Sequence, residues 1–446
     1  MKWSKYNYMF PSDKNDYFLY NSLSNSFVQL DRNAYKQMLE IKKDIENFDF
    51  SRFPGLQEKL IEAKIITEND LDEFYRVKLT KHLKRYDRTG MSLTVAPTLD
   101  CNFNCSYCYE ASRPPVYMSP EIEDKLIDFV KNFPECKNLY VTWYGGEALL
   151  AFDRILRLTE QFKKLDVIYY AGLITNGYEM TADKVDQFGT LRINHIHITI
   201  DGLEEVHNRR RLHLKNKDSF AVIQKNLDYL MEKKKEFSSK IVIRVNIDRS
   251  NENDYGPLYQ YLRKRYAGHD FVIYPGFVNE KFGACNSAPD ELLDRQMKAD
   301  FTIRQFKEYG ITGLNFFPGL SKQECMARHI NSYLVAPNGD LFKCWTDIGV
   351  KEKAVGNLNQ KGGLNNTILT RYLTGADPFD EPKCQRCFYL PICEGRCPHF
   401  ALKNKFENAQ IDLCHISKGN LKEFLQYHYH IRTANKAGIN QTPLSD

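Results

Sequence analysis

Two hydrophobic rhythms divide the chain. Up to about residue 86, short β-type runs come first, Tyr17–Tyr20 and Phe27–Leu30, joined by the polar hairpin stretch Asn21 to Ser26. Asp31 then caps a helical pattern reaching about Asn47, and two more follow, Pro54–Lys64 and Asn69–Arg85, separated by Ile65-Ile66-Thr67. A small sheet followed by three helices predicts a winged-helix-like domain over residues 1–86. From Ser92 the pattern becomes strand–helix alternation, the mark of a parallel βα array. The apolar β-rich runs are Ser92–Thr98, Leu139–Tyr144, Val167–Thr175, His195–Asp201, Ile241–Asp248 and Asp270–Tyr274. Between them lie helical patterns at Ser119–Phe133, Ala151–Lys164, Thr181–Phe188, Asp218–Phe237 and Asp254–Tyr266. Six such units predict an α/β fold, a partial (β/α)6 TIM-like barrel over residues 87–285. A long helix, Asp290–Tyr309, falls in a bridging stretch 286–324 before a cysteine-rich region, 325–446.

Charge and composition exclude more than they assert. A formal charge of +5 on 446 residues is mild. The segment Asn69–Phe74 is acidic through Asp70, Asp72 and Glu73, and there is no basic–aromatic stripe, so no nucleic-acid partner is expected. The Lys233-Lys234-Lys235 run reads as a solvated helix end. In the run Arg209-Arg210-Arg211, Arg210 and Arg211 read as facing either an acidic peptide or solvent. The N-terminal stretch has no apolar signal core and no apolar run is long enough to span a bilayer, so no membrane association and a cytoplasmic location are expected.

The chemistry lies in the cysteines. Cys101, Cys105 and Cys108 form a CxxxCxxC directly after the first predicted strand. Three thiolates can hold three irons of a cubane cluster and leave the fourth iron open. Zinc would want a fourth ligand or an activated water, and no His, Asp or Glu beside this loop completes such a set. Other polar motifs close the following strands: Tyr144-Gly145-Gly146-Glu147, Thr175-Asn176-Gly177, Thr199-Ile200-Asp201-Gly202 with His207 and Arg209 beyond, and Asn246. Parallel barrels gather chemistry at those ends, so one shared site is expected. Seven more cysteines follow, Cys325, Cys344, Cys384, Cys387, Cys393, Cys397 and Cys414, with Gly339 ahead of Cys344. The local block from Cys384 to Cys397 would by itself also suit a zinc knuckle. Cys136 has no motif and reads as a buried thiol. His428 and His430, two apart on a helical stretch, do not share a face and read as no metal pair.

The CxxxCxxC after the first strand, followed by Gly-Gly-Glu after the second, resembles the radical S-adenosylmethionine enzymes over about residues 90–275. The seven-cysteine order resembles the SPASM extension of that family. The resemblance implies S-adenosylmethionine chelated at the open iron, with Gly145, Gly146 and Glu147 lining its methionine amino group. Thr199 stands at the place of a small hydroxyl residue that contacts the cofactor, and Tyr107 and Asn246 complete the expected contacts. It also implies three 4Fe–4S clusters. Cys101, Cys105 and Cys108 would hold the first; Cys384, Cys387, Cys393 and Cys414 would close the second; Cys325, Cys344 and Cys397 would hold the third. The last set lacks a fourth ligand, for which Cys285, a substrate thiolate or none are the alternatives. Sulfatase-maturating relatives carry an aspartate base directly after the position of Cys344. This chain has Trp345 there and Asp347 two further on, so formylglycine formation is disfavoured and no general base is named.

The N-terminal segment resembles the leader-recognition domains of peptide maturases, whose strand edge takes up an extended peptide. The expected partners are a precursor peptide bound through its leader and a reductant such as flavodoxin or ferredoxin. Cys thioether crosslinking, as in sactipeptide and ranthipeptide maturases, is the favoured chemistry. The alternatives are carbon–carbon crosslinking, decarboxylation, or Cys/Ser oxidation in a protein. An enzyme acting on a small molecule or folded protein, and a non-enzymatic zinc or iron–sulfur module, are the rival classes.

Overall fold

The computed structural model describes residues 1–12, 16–69, 72–110, 114–278, 291–314, 316–320, 324–359 and 366–436. They pack as two compact units. One comprises the described residues of Asp87–Leu314 and Met326–Leu373, the other those of Met1–Tyr86, Asn315–Cys325 and Thr374–Gln441.

The first unit is the expected parallel α/β array. Its strands are β1 (Gly90–Val95), β2 (Asn138–Trp143), β3 (Ile168–Thr175), β4 (Ile193–Thr199), β5 (Lys240–Ile247) and β6 (Val272–Phe277). Each lies parallel to the next in chain order, with Leu93 opposite Val141 and His197 opposite Val242. Strand alternation separates two faces. Leu139, Val141, Trp143, Ile196, Ile198, Ile241, Ile243 and Val245 are buried on the face that the connecting helices cover. The opposite face carries His195, His197, Thr199, Arg244 and Asn246, all half-buried. The Ser-Pro helix start is present: Ser119 caps Pro120–Lys131 by accepting from the Ile122 amide at 3.3 Å. Beyond β1 the sheet continues in a way the sequence did not announce. β7 (Ser332–Val335) runs parallel to β1, and β8 (Asp340–Phe342) and β9 (Gly356–Asn357) follow antiparallel. The chain leaving β8 thus brings Cys344 out beside the first barrel strand.

The second unit contains a three-stranded antiparallel meander, Asn7–Pro11, Tyr17–Asn21 and Ser26–Leu30, where the sequence pattern predicted a two-stranded hairpin. Asn7–Pro11 ends in a proline, which a sheet accepts at an edge strand, and this masked its β pattern. Ile66–Thr67, expected as a spacer between helices, pairs with Lys2–Trp3. Asp31 caps Arg32–Lys43 as expected, accepting from the amides of Asn33 and Ala34 at 2.8 Å. That helix stops at Lys43 because Asp44 leaves helical geometry.

Both faces of the meander are used. Leu19 packs with Met38, Ile41, Leu60, Ile65 and Ile66 of the helical side. Phe10, Phe18 and Tyr20, on the opposite face, pack with Ile392, Leu421 and Leu425 of the cysteine-rich segment. Each such apolar side chain removed from water contributes about 1.5–3 kcal/mol. Polar ties add to the join. Ser22 Oγ donates to the Phe388 carbonyl at 2.6 Å, and Lys81 Nζ donates to the Cys393 carbonyl at 2.5 Å. Arg85, fully buried, forks onto Glu324 at 2.8 and 2.9 Å and also bonds Asp377. Among the described residues, no helix is long and apolar enough to cross a membrane.

Candidate active site

The cysteine loop is tied down on both sides. Its short strand Phe103–Cys105 pairs antiparallel with Arg211–His213, setting Cys105 opposite Arg211. The Cys108 amide donates to the Cys105 carbonyl at 3.2 Å, which curls the loop between those two cysteines. On the other side the Gly-Gly-Glu turn presses against the loop's entry. A Cβ on Gly145 would stand 2.2 Å from the Thr98 carbonyl oxygen, and one on Gly146 would stand 2.2 Å from that of Asp100. Gly145 also sits at φ +123°. The Glu147 amide donates to the Asp100 carbonyl at 2.8 Å. The Glu147 carboxylate turns away into the protein, accepting from the Asn176 amide at 2.7 Å, Thr175 Oγ1 at 2.8 Å and the Leu149 amide at 3.0 Å. Burial raises its pKa, while those bonds pull it back down. Asn176 Nδ2 in turn donates to Asn102 Oδ1 at 2.8 Å, so the loops after β1, β2 and β3 form one laced rim.

Tyr107 is the hub of a second network. Its hydroxyl donates to Asp201 and accepts from Asn246 Nδ2 at 3.0 Å and Arg211 Nη1 at 2.5 Å. Asp201, fully buried, also accepts from the Asn246 amide at 2.9 Å. Arg210 stacks its guanidinium 5.2 Å from the Tyr107 ring centroid and forks onto Asp248 at 2.7 and 2.9 Å. The Tyr107 pKa is driven up, chiefly by burial. Arg210 and Arg211, read from sequence as facing a peptide or solvent, are instead 4% and 7% exposed and belong to this network. Asp201 comes from the motif that closes β4, whereas Arg210, Arg211 and Asp248 are site residues that the strand-end motifs did not single out; the Arg triplet was the available signal. His207 is fully buried and accepts from the Asp201 amide at 3.4 Å, its pKa held down by burial and then by Arg211. Thr199 ends β4 half-buried, on the face that also carries Asn246.

The loop suits an anionic iron–sulfur group. Arg211 Nε is buried and has no hydrogen-bond partner among the described residues, and the charge Arg211 feels most strongly is that of Cys105. A thiolate-ligated cluster supplies acceptors for such a donor.

Next to the rim, the Tyr109 and Tyr144 hydroxyls bond each other, and the Tyr144 ring lies 4.9 Å from that of Trp345. Trp345 Nε1 donates to Met326 Sδ at 2.7 Å. Asp347 is buried and accepts from the Tyr372 hydroxyl at 2.5 Å. In the other unit, Cys384, Cys387, Cys393 and Cys414 form one neighbourhood. The Cys387 amide donates to the Cys384 carbonyl at 3.0 Å, and Lys418 Nζ donates to Cys414 Sγ at 3.2 Å. Burial, and then the charges of neighbouring thiols, push the Cys384 and Cys387 thiols up. Cys325 and Cys397 belong to that same unit and are exposed, whereas Cys344 belongs to the barrel unit. Cys285 lies outside the described residues. Cys136 is buried, as expected, and His428 stacks on Phe317 at 4.3 Å rather than joining His430.

Residues 95–262, from the end of β1 into the helix Tyr255–Arg265 after β5, match the Radical SAM superfamily. That stretch is a radical SAM domain. The chain is therefore an enzyme, one that uses S-adenosylmethionine and an iron–sulfur cluster. A serine-type anaerobic sulfatase-maturating enzyme of Bacteroides thetaiotaomicron is 23% identical over 376 residues, covering 74% of this chain and 86% of its own. The solved structure described as native anSMEcpe with bound AdoMet and Cp18Cys peptide shares the fold. Its TM-score is 0.58 at 18% identity, covering 78% of this chain and 99% of its own. Streptococcus suis SuiB superposes with a TM-score of 0.51 at 15% identity, covering 93% of this chain and all of its own.

Proposed function

We propose that this radical SAM enzyme is a maturase of ribosomally made peptides that forms thioether crosslinks from substrate cysteines. The observation that carries the reading is the meander of residues 7–30. Asn7–Pro11 and Ser26–Leu30 each pair on one side only, leaving strand edges that an extended leader can join by backbone hydrogen bonds. A docked leader raises the effective concentration of the core peptide. That relatives of this fold hold peptides, as anSMEcpe does, supports the same class of substrate.

Within the site, Cys101, Cys105 and Cys108 would hold the cluster, and Gly145, Gly146, Glu147, Thr199, Tyr107 and Asn246 would shape the cofactor's seat. When bound, the cofactor and clusters supply a 5′-deoxyadenosyl radical that takes a carbon-bound hydrogen, and an electron acceptor, so that loss of the thiol proton and one electron leaves a C–S bond. Glu147 acts at a distance by fixing the Asn176 turn. Arg211 holds positive charge beside Cys105, and Tyr107 joins the loop to Asp201 and Asn246. Cys384, Cys387, Cys393 and Cys414 would hold one auxiliary cluster, and Cys325, Cys344 and Cys397 another.

A second reading, oxidation of a Cys or Ser in a protein, is favoured by the sulfatase-maturating relative. Trp345 counts against it, since an aromatic ring packed on Tyr144 stands where those enzymes place a base, and Asp347 is engaged by Tyr372. Anaerobic coexpression with cysteine-containing candidate peptides that carry a leader separates the two. Thioether formation removes two hydrogens per crosslink and protects the cysteine from alkylation. An unchanged precursor, together with aldehyde formation on a sulfatase-type peptide, would sink the first reading. Deleting residues 1–86 is not a usable test, because it would uncover Ile392, Leu421 and Leu425.

A further inference from the structure

The N-terminal segment does more than offer strand edges. Its last helix, Glu73–Arg85, lies against the cysteine block, with Lys81 only 2% exposed and its ammonium on the Cys393 carbonyl at 2.5 Å. Four residues on, Arg85 binds Glu324, the neighbour of Cys325. Around the same four cysteines, Lys418 donates to Cys414 Sγ at 3.2 Å, and Arg396 lies close enough to Cys384 to stabilise its thiolate. Glu381, which pairs with Arg396 at 3.7 Å, and Asp412, which accepts from the Cys414 amide at 3.0 Å, are opposing carboxylates there. Four thiolates on a 4Fe–4S core make an anionic group whose potential rises with nearby positive charge and with hydrogen bonds at its ligands. In a buried setting a charge acts with less screening than at the surface.

The geometry points to Lys81 as a positioning residue of the auxiliary cluster on Cys384, Cys387, Cys393 and Cys414, whose ammonium fixes the Cys393 loop and raises that cluster's reduction potential. It rests on the reading that these cysteines carry a cluster. The N-terminal segment is then part of the redox centre as well as of substrate capture. A cluster poised upward by Lys81, Arg396 and Lys418 is better suited to receiving an electron than to donating one.

The test is anaerobic reconstitution of the full chain, iron and sulfide analysis, and an EPR-monitored redox titration. Wild-type protein with about twelve irons supports three clusters, whereas about four would sink that reading and this inference with it. At wild-type iron content, Lys81→Met is expected to shift one cluster alone. Its reduced-to-oxidised ratio at a fixed potential should fall at least about tenfold, which is 59 mV for one electron. Lys81→Arg should stay within about twofold of wild type. Full iron with an unmoved potential in Lys81→Met overturns the inference while leaving the three-cluster reading intact. Should Lys81→Met instead lose about four irons, retention by Lys81→Arg supports the role of the charge, and loss by both overturns it.

Discussion

Arg211 lies opposite Cys105 across a two-strand register, and its Nη1 donates to the Tyr107 hydroxyl at 2.5 Å. One side chain therefore faces the Cys105 thiol and also braces the residue just before the last cysteine of the loop. Arg211→Met removes a charge-assisted bond from a buried hydroxyl, an expected loss of about 1.5–3 kcal/mol in urea unfolding. Release of 5′-deoxyadenosine, measured chromatographically under reducing conditions, should fall at least about tenfold, and Arg211→Lys should restore only part of it because lysine lacks the planar fork.

Gly146→Ala should be worse than a typical surface change. The added carbon would meet the Asp100 carbonyl oxygen at 2.2 Å, which a backbone neighbour cannot yield cheaply. The turn and the cysteine loop must part, so S-adenosylmethionine binding by equilibrium dialysis should weaken at least about tenfold, with about 1–3 kcal/mol of stability lost.

Arg85→Met would take the guanidinium from Glu324 and Asp377, both buried. Breaking one side of such a pair typically destabilises by about 3–5 kcal/mol. Because Glu324 adjoins Cys325, iron content should fall along with the unfolding midpoint. An unchanged midpoint would show that the two carboxylates find other partners.

The barrel face around His197 makes a pH prediction. Its Nε2 lies 3.0 Å from that of His195, and Arg244, Lys240 and the Tyr274 ring also face it. Burial first, then those positive groups, push its pKa down to about 4. Below pH 6.5 the unfolded chain takes up a proton that the folded chain refuses, so this contribution to stability declines as pH falls toward 4. His197→Gln lacks that proton, and its urea midpoint should fall less than wild type between pH 7.5 and 5.5. The difference in slope should be up to about 1.4 kcal/mol per pH unit.

The parallel array was legible in sequence because strand and helix periods are local: the six expected apolar runs overlap β1 to β6, differing by a few residues at their ends. The cysteine loop and the Gly-Gly-Glu turn were legible because short spacings fix them. What lay beyond reach depended on distant pairing. Nothing near Ser332 signals that β7 will align with β1. The burial of Arg210 and Arg211 depends on Tyr107, Asp201 and Asp248, between about 9 and 104 positions away. The Glu147 carboxylate accepts from the Asn176 amide, a partner that only the fold brings near.

The meander's double packing bears on how such enzymes can be re-engineered. Phe10, Phe18 and Tyr20 are shaped to Ile392, Leu421 and Leu425, so a foreign recognition module grafted at residue 86 would arrive with the wrong surface. If the proposed leader recognition holds, exchanging it requires moving residues 1–86 together with the described stretch from 374 to 436. In this chain the part proposed to choose a substrate and the part proposed to take its electron are one packed unit.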